Sequence, residues 1–114
     1  MAKVALFIHG MWGTPDVWRN WRPAFEARGW QTAAPALRHH DRRRGGAMPS
    51  DPGIGTVSLL DYAADLEDAV AALPLSRTER PVLVGHSMGG LLALMLAARG
   101  IARAASISAR SPPI

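Results

Sequence analysis

No cysteine occurs in the 114 residues. A disulfide framework and thiol chemistry are therefore excluded, and the composition suits a reducing compartment. Long apolar runs are missing too. The longest, over 91–98, falls far short of the ~20 residues a membrane-spanning helix needs. Met1-Ala2-Lys3 and the five apolar residues after it are too short for a secretory signal. Together these absences lead to the expectation of a cytoplasmic protein with no membrane span. Lysine is nearly absent, with one against twelve arginines in a chain of net charge +4. Arg42-Arg43-Arg44 is the one basic cluster. It sits in a Gly/Pro-rich stretch without interleaved aromatics, beside Asp41 and Asp51, and reads as a solvated loop with no nucleic-acid partner. No internal repeat or low-complexity segment appears.

What is present is apolar and patterned. Hydrophobic residues make up 48% of the chain, enough for one domain with a sizeable core and no more than one. Pro81-Val82-Leu83-Val84 leads into Gly85-His86-Ser87-Met88-Gly89-Gly90 and then into Leu91-Leu92-Ala93-Leu94-Met95-Leu96. This is G-x-S-x-G between a strand pattern and a helix pattern. A serine there is lifted on a sharp turn, with glycines that let strand and helix backbones come close. A glycine-rich turn holding an incidental serine is the bland alternative, and the flanking periodicities argue against it.

A second segment supports the first. Val4-Ala5-Leu6-Phe7-Ile8 reads as a buried parallel strand, and His9-Gly10-Met11-Trp12-Gly13 as the tight loop that ends it. The two motifs, in this order, resemble the α/β-hydrolase superfamily of the lipase and esterase kind. The resemblance covers nearly the whole chain. It implies that Ser87 is the nucleophile and that the main-chain N–H groups of Met11 and Met88 form the oxyanion hole. No side-chain chemistry is implied at either methionine, and no cofactor or metal.

Between the motifs, helix and strand alternate. Thr14 as N-cap, Pro15 at the first helical position and Asp16 near the positive end of the dipole open a helix. Val17, Trp18, Trp21 and Phe25 continue it and Gly29 closes it, while Pro23 marks a point of kinking or restart. Residues 30–34 read as a strand and 35–57 as loop. Ser58-Leu59-Leu60-Asp61 reads as a capping box opening a helix over 58–73. A strand precedes Ser87, a helix apolar on nearly all sides runs to Ala98, and a weak fourth strand covers 104–108. The order predicts an α/β fold: a parallel sheet with helices on both faces, three layers, α/β-hydrolase-like and truncated after about four strands. Residues 1–114 are then the N-terminal portion of a single α/β-hydrolase domain, with chemistry at the carboxyl ends of the strands.

A serine hydroxyl needs a base, and the base a carboxylate. In the superfamily these follow the serine as Asp or Glu and then His. No Asp, Glu or His follows Ser87 in this sequence. The chain is therefore expected to be an incomplete and nearly inactive portion of a hydrolase acting on a small-molecule acyl substrate. His86 points elsewhere than its neighbour on the turn. His9 is read as a residue that holds the loop. His39 and His40, after the second strand, are read as solvent-touching loop residues, with a role as improvised base as the alternative. Their adjacency to Asp41 does not make a metal site, because neighbouring ligands seldom converge on one ion. Trp12 is a candidate acyl-pocket wall. Two function classes stay open: an ester hydrolase working through an acyl-enzyme, or a non-catalytic α/β ligand- or partner-binding domain that keeps the serine turn. The edge left by the fourth strand is expected to promote self-association.

Overall fold

A computed structural model describes residues 3–11, 13–40 and 57–108. Trp12 and the arginine run, with Asp41 and Asp51, lie outside the described residues. Four strands form one parallel sheet: β1 (Val4–Ile8), β2 (Gln31–Ala33), β3 (Val82–His86) and β4 (Ala104–Ser108), in the order β2-β1-β3-β4. Among the described residues three α-helices accompany them, α1 (Trp21–Glu26), α2 (Leu59–Ala71) and α3 (Met88–Ala98), with a 3₁₀ helix at Pro15–Trp18. The α/β reading of the sequence is correct, as are the parallel sheet and its four strands.

Every residue of β1 is buried. A strand covered on both faces gains from apolar side chains at each position, which is why Val4 to Ile8 form an unbroken run instead of an alternation. Its side chains still divide by parity. Leu6 and Ile8 join Leu83 under Tyr62, Ala63 and Leu66 of α2 and Leu92, Ala93 and Leu96 of α3. Ala5 and Phe7 join Val84 on the other face, against Trp18 of the 3₁₀ helix and the flanking Trp21 and Phe25. Phe7 lies with ring centroids 5.1 Å from Trp18 and 5.0 Å from Phe25, the latter edge-on. Each such buried side chain contributes roughly 1.5–3 kcal/mol.

Three local differences from the sequence reading have simple causes. The expected helix over 14–29 is two pieces. Thr14 caps the 3₁₀ helix through Asp16 N–H, the chain turns at Arg19 and Asn20, and α1 restarts at Trp21. Pro23 then falls in the first turn of α1, where its missing N–H costs nothing. Strand β2 is three residues long and, among the described residues, pairs with β1 alone. Helix α3 is apolar on all sides yet covered on one: Leu91 is 47% and Leu94 51% exposed. The capping box at Ser58 is present as read, its hydroxyl accepting from Asp61 N–H and the Asp61 carboxylate accepting from Ser58 N–H.

The strand order reverses between β1 and β3. Chain growth runs outward to β2 on one side and to β4 on the other. At such a reversal the loops leaving the two central strands part and open a crevice at their carboxyl ends. Ile8 is level with Gly85 in the register, so Gly10 and Ser87, two residues further on, reach that crevice together.

Candidate active site

Ser87 stands between the last residue of β3 and the first of α3, exposed, at φ 56° and ψ −120°. Positive φ is costly for a residue with a Cβ, about 1–3 kcal/mol, and persists only where the surroundings enforce it. Here the glycines around it do. A side chain on Gly85 would overlap the backbone of Gly89 and Gly90, and one on Gly89 would overlap the Ile8 carbonyl. The first turn of α3 therefore lies directly on the ends of β3 and β1, and the chain can reach it from β3 only through a tight corner. At that corner the serine side chain makes no capping bond to its own helix.

Across the crevice is the loop after β1. A Cβ placed on Gly10 would come 3.2 Å from the Ser87 Cβ and 3.7 Å from its Oγ, so the serine side chain packs against Gly10. The Gly10 carbonyl accepts from His9 Nδ1–H at 2.7 Å and from Gly13 N–H at 3.2 Å. In a trans peptide the N–H lies opposite the carbonyl, and no peptide bond described is cis. The Met11 N–H consequently points away from both donors. The Met88 N–H begins α3, where first-turn N–H groups have no partner within the helix and the dipole is positive.

His9 is wholly buried and fully engaged. Its Nε2 accepts from Leu37 N–H at 3.1 Å, which leaves Nδ1 as the protonated nitrogen that donates to Gly10. Burial, opposed by the bond to Gly10 and aided by nearby His40, lowers its pKa from 6.5 to about 4. A neutral ring with both nitrogens occupied is a strut for the loop and has no lone pair to offer a serine.

His40 departs from its reading as a solvent-touching residue. It is wholly buried, its ring centroid 5.2 Å from that of His9, with Nδ1 at 2.8 Å from the Arg38 carbonyl and Nε2 at 2.7 Å from the Met11 carbonyl. That geometry removes it as an improvised base. His39 is half-buried at φ 67° and has partners of its own. His86 closes β3, level with Ser108. The sequence brings Ser87, Gly10 and the two oxyanion candidates to one crevice, and it missed the residues after β2 that brace the loop. The doublet His39-His40 was the available signal, but its arginine-rich surroundings masked the burial of its second ring.

A cavity of about 450 Å³ lies at the opposite, amino end of β3, bordered by Leu73, Arg77, Arg80, Pro81, Arg99 and Ile101. It is separate from Ser87. Among the described residues no group of three or more His, Cys, Asp or Glu is placed to hold a metal ion. No described helix is long and apolar enough to cross a membrane.

The alpha/beta hydrolase family is matched over residues 5–114. The chain belongs to that family. Solved structures agree with the membership. A thioesterase domain from the curacin biosynthetic pathway is 29% identical, with a TM-score of 0.69 over 88% of this chain and 33% of its own. Polyneuridine aldehyde esterase is 23% identical, with a TM-score of 0.67 over 94% of this chain and 40% of its own. An epoxide hydrolase from Vigna radiata is 23% identical, with a TM-score of 0.72 over 94% of this chain and 33% of its own. The latter two likenesses carry the fold alone. No curated protein matches. This alpha/beta hydrolase chain thus spans between a third and two-fifths of the length of these three structures.

Proposed function

We propose that this chain carries the nucleophile and oxyanion half of a serine hydrolase site that acts on carboxylic esters through an acyl-enzyme. The observation that carries the reading is the packing of Ser87, held at positive φ, against Gly10 across the β1/β3 crevice. In this reading residues 1–114 are the N-terminal portion of a single α/β-hydrolase domain. The Ser87 Oγ attacks the acyl carbonyl, its proton passing to a base. The oxyanion that forms accepts from the Met11 and Met88 N–H groups, the alcohol leaves with a proton, and water releases the acid. Two N–H groups fixed before reaction need no reorganisation as charge develops, and losing one such donor costs ~10²–10³ in rate in a serine hydrolase.

No base for Ser87 is identified among the described residues. No Asp, Glu or His follows Ser87, and His9 and His40 are committed to the backbone. A site stripped of its acid–base pair retains ~10³–10⁴-fold over water when its pocket is intact, so the chain alone should turn over p-nitrophenyl esters near background. Initial rates of the chain and of Ser87→Ala test this. Robust turnover that Ser87→Ala leaves intact rules out the serine. Robust turnover that Ser87→Ala abolishes shows that a base is supplied after all. The second reading is a ligand- or partner-binding domain that retains the serine turn. A sharp, cooperative melt of a clean monomer would favour it. In the hydrolase reading the exposed edge beside β4, where Ile107 is 50% exposed, promotes self-association instead.

A further inference from the structure

In a parallel sheet each crossover helix runs back against its strands, so α2 and α3 both end at the amino ends of β3 and β4. The turns that return the chain to those two strands border the cavity of about 450 Å³. That volume lies within the ~300–1,000 Å³ of small-molecule sites. Val70, Leu73, Leu75 and Ile101 give the cavity an apolar side. Arg77, Arg80 and Arg99 give it a cationic one. Among the lining residues Glu79 is the one carboxylate, and its Oε1 is turned to the backbone, accepting from Ser76 N–H at 2.8 Å.

Helix carboxyl ends attract cations, and local structure accounts for part of this charge. Arg99 donates to the Glu67 carboxylate of α2. Arg80 donates from Nε to the Gly100 carbonyl, just past α3, at 3.0 Å, and from Nη1 to the Arg77 and Glu79 carbonyls, each at 3.1 Å. Two groups are left over. Arg80 Nη2 has no acceptor among the described residues, while the bonds at Nε and Nη1 hold the guanidinium plane still. The Arg77 side chain is exposed and bonds to no described residue, although its carbonyl is one of those that hold Arg80. A guanidinium fixed in its plane loses little freedom on meeting a planar carboxylate. We infer that this cavity binds an amphiphilic carboxylate, of the chemical class of a medium-chain fatty acid. The carboxylate accepts from Arg80 Nη2 and from Arg77, and the alkyl chain lies on Val70, Leu73, Leu75 and Ile101. A small inorganic anion would leave that apolar side wet, and an uncharged lipid would leave both cationic groups without an acceptor. The site lies at the end of the sheet away from Ser87 and is independent of the proposed function.

Equilibrium dialysis of the chain against radiolabelled octanoate tests this, because it reads bound ligand whatever the state of association. Octanoate should bind saturably, displaced by unlabelled octanoate and not by octylammonium or acetate at the same concentration. Arg77→Gln and Arg80→Gln should each weaken binding about three- to tenfold. The Arg80 variant also removes bonds between the two turns. The Arg77 variant removes none among the described residues, so it decides the matter even if the other does not fold. Ser87→Ala should bind octanoate as the unmutated chain does. An absence of saturable binding overturns the proposal, as does equal displacement by octylammonium, which would mean that the alkyl chain alone is held. So does an Arg77→Gln chain that binds as tightly as its parent. Binding lost in Ser87→Ala but kept in Arg77→Gln would place octanoate in the β1/β3 crevice and overturn it too. Failure of the serine assignment in the ester assay would leave octanoate binding as described.

Discussion

Acid should weaken this fold through one ring. His9 has its pKa lowered from 6.5 to about 4, chiefly by burial, so the unfolded chain takes up its proton first as pH falls. The sign follows from linkage: stability increases with pH wherever the unfolded state binds more protons. The contribution is complete above about pH 6.5, shrinks as pH falls toward about 4, and is gone below that, where both states are protonated. At ~1.36 kcal/mol per unit the span amounts to about 3 kcal/mol, a large share of the 5–15 kcal/mol typical of a domain. The structural reason is visible in the bonds. A protonated Nε2 would turn a second N–H against the Leu37 N–H, and the loop after β1 would lose its brace. Urea denaturation followed by tryptophan fluorescence at a series of pH values, on the chain and on His9→Gln, isolates the effect. The chain should lose about 3 kcal/mol more than the variant between about pH 7 and pH 4. Parallel losses in the two proteins would refute the reasoning and show that His9 is not held neutral by the fold.

Two further predictions follow from packing and capping, and one from the sheet edge. Gly89→Ala places a methyl on the Ile8 carbonyl. Backbone must move to admit it, so the loss should be about 3 kcal/mol or more, read as a fall in the urea midpoint. Ser58→Ala removes the hydroxyl that caps α2 and should cost about 1 kcal/mol, with an unchanged dependence on denaturant. Sedimentation velocity should show association that weakens when Leu94 and Ile107, both half-exposed, are replaced by lysine. A monomer at every concentration would contradict that role for the edge.

The central strands were legible because burial on both faces imposes a continuous apolar run. Val4 to Ile8 and Val82 to Val84 could be little else beside Gly10 and Gly85. The corner at Ser87 was legible because close approach of helix and strand demands glycine at fixed offsets. The restart at Trp21 was half-legible: Pro23 marked a break, but the break comes before the proline, where the ring fits the first turn. The outer side of α3 was not. Leu91 and Leu94 look like core residues in sequence, and only the placement of neighbours shows that nothing described covers them. Least legible was the bracing of the loop after β1. His9, His40, Leu37 and Arg38 meet through backbone atoms, which leave no trace in residue type, and the bonds span 28 and 29 positions.

In the proposed site Ser87 and the Met11 and Met88 N–H groups address one reacting carbonyl. A crystal structure of the chain after prolonged exposure to an alkyl fluorophosphonate tests it most directly, since the tetrahedral phosphonate stands in for the acyl intermediate. Phosphorus should be bonded to the Ser87 Oγ, with one phosphoryl oxygen about 2.7–3.1 Å from both amide nitrogens. Phosphorus on another residue, or an oxygen turned away from either amide, would contradict it.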